Sequence, residues 1–589
     1  MNKGKFILIA FCISLLTVFV SCEDDIVDPV EDDSDDEIEV VDDTSDEVDA
    51  ENGEDHESSD DYTWDASSEI VITLSGSSIS TDATDVTIDG SIATITSAGN
   101  YRITGSLSDG QIIVDTEDSE TVRLILDGVN ITSSNSSPLY IASAEKTIVI
   151  LPEGSDNYLT DTQNYVFEGD DDEPDAALFS KDDLSIYGEG TLTVDGNYNE
   201  AIKSKDGLII ASGNLNITSV DDGIQGKDYL IVRDGNIVID ADGDGLKSSN
   251  DEETELGYVT IESGTFNITA GADGIQAETD ITITGGDFTI VAGGGSDSYL
   301  GSDDSAKGIK SVVVTIIDAG TFSLNTADDA IHSDGSVIIN GGDFEISTGD
   351  DGLHSDESLT INGGYINVLE SYEGIESGVL TINDGEIHVV SSDDGLNVAG
   401  GNDSSGGWGG HGAGSGSSSS YYLYINGGYI VVNANGDGLD ANGSIVMTNG
   451  TVLVNGPTSS GNGALDYDQS FSISGGYLIA AGSSGMAQAP SSSSEQSSIL
   501  VTFNNSQTAE KIVSLQTSDG TDIVTFAPAK KYQSIVISTP ELTSGSSYNL
   551  YLGGSSTGTE TDGLYEGGTY TPGSTYSSFV LSGTVTRIN

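Results

Sequence analysis

The chain has 589 residues, enough for several domains or one long repeat array. Its 98 acidic residues against 17 basic ones give a formal charge of −81, which excludes ordinary nucleic-acid binding, since phosphates call for Lys and Arg. A like charge this large also repels itself, so a compact fold requires counter-ions or wide spacing of the carboxylates. Gly is abundant, at 75 residues, and Pro is scarce, at 9, which with much Val, Ile, Thr, Ser, Asn and Asp fits many short strands joined by tight turns.

Residues 1–21 read as a signal peptide: Lys3 and Lys5 precede an apolar run from Phe6 to Val20 that is too short for a comfortable membrane anchor. The run ends at Val20-Ser21-Cys22, a loose match to a bacterial lipoprotein processing site in which Cys22 becomes the lipidated first residue. The alternative is plain secretion with Cys22 incidental. Cys12 leaves with the signal, so the mature chain has no disulfide partner for Cys22. Residues 22–65 form the next segment; 22 Asp and Glu between positions 23 and 61 make it a disordered acidic tether. Its start, Cys22-Glu23-Asp24-Asp25, resembles the acidic surface-export signal of Bacteroidetes lipoproteins, which implies an outer-membrane lipoprotein exposed at the cell surface; a mere spacer is the other reading. Residues 66–200 carry looser strands such as Ile70–Leu74, Val122–Leu126 and Ile148–Leu151, expected to form an N-terminal β region and the first coils.

An internal repeat organises residues 201–490. A motif Asp-(Gly/Ala)-(Ile/Leu)-x-(Ser/Ala), a strand, a Gly-Gly turn and a second strand recur, as at Asp222-Gly223-Ile224, Asp273-Gly274-Ile275, Asp351-Gly352-Leu353 and Asp437-Gly438-Leu439. Steps between successive Gly or Ala positions are 22, 22, 29, 34, 22, 22, 22, 21, 43 and 26 residues, the long ones being one 22-residue coil plus an insertion. A solenoid tolerates such insertions. The strands alternate with period two, so helical solenoids are excluded, and the period is too short for propeller blades. The expected fold is all-β, a right-handed parallel β-helix. Stacking sends Phe266, Phe288, Phe322, Phe344, Ile366, Ile387 and Ile430 inward and leaves Thr265, Asp287, Thr321, Asp343, Tyr365, Glu386 and Tyr429 facing out. Residues 497–589 lose the repeat but keep alternation, and read as a C-terminal β cap or small β domain.

Ser108-Asp-Gly-Gln-Ile-Ile-Val-Asp115, Ala177-Leu-Phe-Ser-Lys-Asp-Asp-Leu184, Val220-Asp-Asp-Gly-Ile224, Gly226-Lys-Asp-Tyr229 and Asp273-Gly-Ile-Gln-Ala-Glu-Thr-Asp280, in this order, resemble the bacterial carbohydrate-binding β-helix family. That domain was long catalogued as one of unknown function, and the resemblance covers roughly residues 66–480. It implies a right-handed β-helix with bound calcium, similar in fold to polysaccharide lyase family nine. It also implies binding of cellulosic and acidic plant-type sugars without established catalysis.

Acids gather at one corner of the repeat: Asp221 with Asp222, Asp242 with Asp244, Asp273, Asp328 with Asp329, Asp350 with Asp351, and Asp393 with Asp394. Stacked carboxylates about 5 Å apart repel by several kcal/mol at intermediate dielectric unless a cation sits between them. Ca²⁺, which takes six to eight oxygens in flexible geometry, suits that corner better than Mg²⁺. The competing role for each Asp is to satisfy turn N–H groups. A second ladder, expected to face outward, runs Lys203, Gln225, Lys247, Gln276, Lys310, His332, His354, Glu376, Asn397, Asp440 and Asp466, grading from basic to acidic. Lys203, Lys247 and Lys310 are candidates to meet sugar carboxylates; His332 and His354 stack on successive rungs and could ligate a transition metal, but with no Cys and no third ligand evident they read as ordinary surface residues. Tyr365, Tyr429 and Tyr477 take the outward slot on every second rung, roughly 9.5 Å apart, a spacing at which rings stack on a disaccharide.

The chain therefore reads as a monomeric, calcium-binding, non-catalytic polysaccharide binder whose only link to a membrane is its lipid. A calcium-dependent pectate-type lyase is one alternative; it would need a Lys base, and an outward Lys without a desolvating pocket stays protonated. A structural adhesin without a sugar ligand is the other.

Overall fold

The computed structural model describes residues 56–167, 172–301, 304–399 and 420–589. The signal, Cys22 and most of the acidic tether lie outside the described residues, as does most of the Gly/Ser-rich insertion at 402–422. The fold is all-β: one sheet of 47 strands, mostly parallel, and a second of six, with no α-helix among the described residues. This is the architecture of a β-solenoid.

Each coil supplies three strands, and each strand pairs in parallel with its counterpart one coil on. Ile275–Ala277, Asp280–Ile283 and Asp287–Ala292 pair with Ile309–Ser311, Val314–Ile317 and Thr321–Thr326. Alternation of apolar and polar residues sets which side chains face in, as in Thr265–Ala270, where Phe266, Ile268 and Ala270 are buried and their neighbours exposed. Phe266, Phe288, Phe322 and Phe344 stack with centroids 4.5, 4.8 and 4.6 Å apart. Against each ring lies the glycine two residues before it; at Gly286, φ is +118° and a Cβ would come within 2.9 Å of Phe288. At the opposite corner Gly245 lets two coils meet, since a Cβ there would lie 2.5 Å from the Gly274 carbonyl oxygen.

The pattern extends into the region before residue 200: Gly99–Leu107 pairs in parallel with Ile70–Gly76 and, through a bulge, with Val122–Thr132. The end of the expected tether is ordered rather than free. His56 Nε2 lies 2.8 Å from the Tyr258 hydroxyl, Lys146 pairs with Asp61 at 2.6 Å, Arg233 with Glu57 at 2.8 Å, and Tyr62 stacks on Tyr187. At the other end Tyr477–Gly482 accepts an antiparallel partner, Tyr532–Ser538, which also pairs with Ser498–Gln507. The six-stranded sheet, built from strands between Val513 and Val580, packs beside these.

Candidate metal centre

The repeat motif places an acid at the corner before most of the short strands, Lys307 and Gly463 being the exceptions, and the side chain three residues on rises beside it. One carboxylate oxygen of the acid caps the next rung. Asp222 Oδ1 accepts the Asp244 N–H at 2.9 Å, Asp244 Oδ1 that of Asp273 at 2.8 Å, and Asp273 Oδ1 that of Lys307 at 2.7 Å. Asp329 and Asp351 do the same for Asp351 and Glu373, each at 3.0 Å, and Asp394 and Asp437 for Asp437 and Gly463. These bonds satisfy backbone donors that the corner would otherwise bury unpaired. The other oxygen, Oδ2, of Asp222, Asp244, Asp273, Asp329 and Asp351 faces the second ladder.

That ladder is in the expected register, Lys203 to Gln225 to Lys247 and on through His332, His354, Glu376, Asn397 and Asp440. It does not project freely into solvent: Gln225, Gln276, His332, His354 and Asn397 are buried, and Lys203, Lys247 and Lys310 partly so. Alternation gives only the direction away from the coil's interior; the corner acids then cover what points there.

The cation changes identity along the axis. Lys203 binds Asp175 and Glu200 at 2.9 and 2.8 Å, and Lys247 bridges Asp222 and Asp244 at 3.1 and 2.7 Å. Lys310 reaches Asp273 at 3.4 Å, and Lys307, standing in the acid position of its coil, binds Asp328 and Asp329 at 3.0 and 2.8 Å. Burial would strip protons from Lys203, Lys247 and Lys307, but the adjoining carboxylates outweigh it and raise all three. Burial likewise opposes the charge on Asp329, yet Lys307 and His332 hold its carboxyl below the usual range. The lysines expected to meet sugar are thus internal counter-ions. Next come the two histidines, buried rather than on the surface. Burial lowers His354, but Asp351, Asp329 and Glu376 together lift it to about 10.

Beyond them the second ladder turns acidic. Burial first, then Glu376 and Asp351, pushes Glu373 up to about 10; burial and Asp351 push Glu376 up to about 8. Burial with the mutual repulsion of neighbouring acids raises Asp394 to about 7, Asp437 to about 6 and Asp440 to about 8. One oxygen from each of Asp394, Asp437 and Asp440 lies within 4.8 Å of the others. Asn397, on the strand between, donates its amide to Glu373 at 2.5 Å and Glu376 at 3.3 Å, toward the preceding rung. Its buried Oδ1 has no hydrogen-bond partner among the described residues. Asn397 is the register partner of Asp440 on the next rung.

Of the acids expected to bind metal, Asp328, Asp329 and Asp350 form a second cluster, and Asp351 joins His354 and Glu376 in a third. Asp222, Asp244 and Asp273 are occupied by lysine, Asp242 is exposed, and Asp393 accepts the Tyr372 hydroxyl at 2.8 Å. Neither Asp221 nor Asp242 falls in a cluster among the described residues. Asp437 and Asp440 are members of the repeat that sequence reasoning did not select as ligands; the missing Lys at position 440 was the available signal. The tyrosines keep their register, but Tyr429 donates to Asp562 at 3.0 Å and Tyr477 to the Ile523 carbonyl at 3.0 Å. Both rings pack against the C-terminal strands, which leaves Tyr365 exposed.

A family model described as carbohydrate-binding domain-containing protein matches residues 89–352 and 351–543, a span that holds both ladders. The chain belongs to this carbohydrate-binding family. A curated member from Acetivibrio thermocellus, described in the same words, is 45% identical over 124 residues, 21% of this chain. The matched part spans 43% of that relative's length. A solved structure, the gadolinium derivative of a polysaccharide lyase-like protein from C. thermocellum, is 37% identical with a TM-score of 0.38, over 38% of this chain and 92% of its own.

Proposed function

We propose that the chain is a monomeric calcium-loaded polysaccharide-binding protein, non-catalytic, and displayed at the cell surface from a lipid on Cys22 at the outer membrane. Its body is a right-handed parallel β-helix with coils of about 22 residues, a reading supported by the pairing of Ile224 with Leu246, closed by residues 497–589 as a C-terminal β cap. The observation that carries the calcium reading is the all-oxygen cluster of Asp394, Asp437 and Asp440 beside the unpaired Asn397 Oδ1. Carboxylates and an amide oxygen at flexible spacing are the ligands of a hard cation, and Ca²⁺ keeps positions for further oxygens. All three acids are partly exposed, so a sugar hydroxyl or uronate carboxylate reaches the ion from outside. Without it, a surface this acidic repels uronates; with it, most of the cluster's negative charge is neutralised and the ion itself offers a position to a carboxylate. Binding is favoured over lyase chemistry because Lys203 and Lys247 are held in the protonated form by their carboxylate partners, which makes them poor bases.

The test is retention of polygalacturonate and cellulose by the full chain after EDTA treatment and after calcium is restored. Calcium should restore binding of the acidic glycan in the natural protein but not in Asp394→Asn/Asp440→Asn. Equal retention with and without calcium, or release of unsaturated uronate seen by ultraviolet absorbance, would overturn the reading.

A further inference from the structure

Two consecutive coils carry the same pattern, Asp-(Ala/Gly)-(Ile/Leu)-His-Ser-Asp, at 329–334 and 351–356. Parallel register sets His354 directly on His332, with ring centroids 4.9 Å apart. Each ring is held from outside by the Asp two residues on: His332 Nε2 lies 2.9 Å from Asp334 Oδ1, and His354 Nε2 lies 3.2 Å from Asp356 Oδ1. An ionised carboxylate only accepts, so each nitrogen that faces one carries a proton in the metal-free chain; Nε2 keeps its proton toward the outer Asp, and Nδ1 is the nitrogen turned inward. His332 Nδ1 faces Asp329 Oδ2 at 2.8 Å; His354 Nδ1 faces Asp351 Oδ2 at 3.1 Å and Glu376 Oε2 at 3.5 Å.

The geometry points to a buried site for a first-row transition metal of the Zn²⁺ type, with His332 Nδ1, His354 Nδ1 and Asp329 Oδ2 as ligands and Asp351 bordering the fourth position. One ligand atom from each of Asp329, His332 and His354 lies within 4.8 Å of the others, and all three residues are buried. Imidazole nitrogen with carboxylate selects zinc-like ions over Ca²⁺, which belongs with the all-oxygen cluster further along the axis. A carboxylate on the far nitrogen of each ring is the arrangement that orients metal-binding histidines, and here it occurs twice. Lys307, which shares Asp329, keeps Asp328 at 3.0 Å when Asp329 Oδ2 turns to the ion. In the metal-free chain the inward nitrogens share protons with these carboxylates, and a divalent ion replaces those protons.

The test uses the full chain stripped with EDTA, then saturated with calcium so that the oxygen cluster is filled, and titrated with Co²⁺ and Zn²⁺. One Co²⁺ per chain should bind, with a visible absorption band that Zn²⁺ abolishes. His332→Gln/His354→Gln should lose the band while keeping calcium-dependent stability. Because that pair sits in the interior, Asp334→Asn/Asp356→Asn serves as the check that leaves the packing intact; it should weaken Co²⁺ affinity about 10–100-fold. Absence of Co²⁺ and Zn²⁺ binding by the calcium-saturated protein, or binding that both pairs of substitutions leave unchanged, would overturn the assignment without touching the calcium reading.

Discussion

Lys247 holds Asp222 Oδ2 and Asp244 Oδ2 apart by lying 3.1 and 2.7 Å from them, the place a calcium ion would take. Lys247→Met leaves two half-paired carboxylates, and the expected loss is about 3 kcal/mol, as for one partner removed from a buried pair. Calcium should recover part of that loss in the variant and none in the natural protein at this rung; urea unfolding with EDTA and with calcium reads the difference. Asp206 offers the matching pH experiment. Burial, then Asp228, Asp183 and Asp182, push it up to about 6 against the weaker pull of Lys227. The folded state therefore binds its proton more tightly than the unfolded chain does, so stability falls as pH rises through the window from about 4 to about 6 and stays lower above it. Asp206→Asn should match the natural protein below about pH 4 and exceed it near pH 7 by on the order of 1 kcal/mol once solvent screening is counted. Melting temperature against pH for the two proteins checks the sign. The existence of the acid ladder was legible in the sequence, because the motif repeats. Which acids were already neutralised was not, because Lys247 and Asp222 are 25 positions apart and only register brings them together.

Within a single ladder, position matters as much as residue type. Phe322 has a ring on each side, at 4.8 and 4.6 Å, whereas Phe266 has one, at 4.5 Å. Phe322→Ala should cost about 3–5 kcal/mol through lost burial and the cavity left behind. Phe266→Ala should cost less, by about the worth of one stacked pair, roughly 0.5–1.5 kcal/mol. Chemical denaturation of both variants tests the ranking, and equal losses would show that stacking adds nothing to burial. Period-two alternation makes these inward residues readable without a structure. It fails for the short strand Ile331–Ser333 and its equivalents, where the middle residue leaves the coil interior yet is buried by the acid three positions before it. It fails again at Tyr429 and Tyr477, whose covering residues, Asp562 and Ile523, lie 133 and 46 positions away in a segment with no repeat to align. His56, paired with Tyr258 across 202 positions, was hidden in the same way, since an acidic run gives no sign of where it docks.

At the scale of the molecule two ionic effects overlap and must be separated. A net charge of −81 means that any salt stabilises the fold by screening, with a Debye length near 8 Å at physiological ionic strength. That contribution is general and grows smoothly with ionic strength. Occupation of the Asp394, Asp437 and Asp440 cluster is different in kind, because it saturates and offsets the burial and mutual repulsion that lift those carboxyls to about 7, 6 and 8. At fixed ionic strength, calcium at a hundred times its dissociation constant should stabilise the protein by about 2.7 kcal/mol per site. Asp440→Asn should flatten that increment while keeping the response to sodium chloride, since one charge in so many barely alters screening. In EDTA the same variant should be more stable than the natural chain near neutral pH, because it removes a half-buried carboxyl whose charge the fold disfavours. Melting temperatures of the two proteins in matched sodium and calcium solutions decide the matter: identical calcium increments would assign the whole effect to screening.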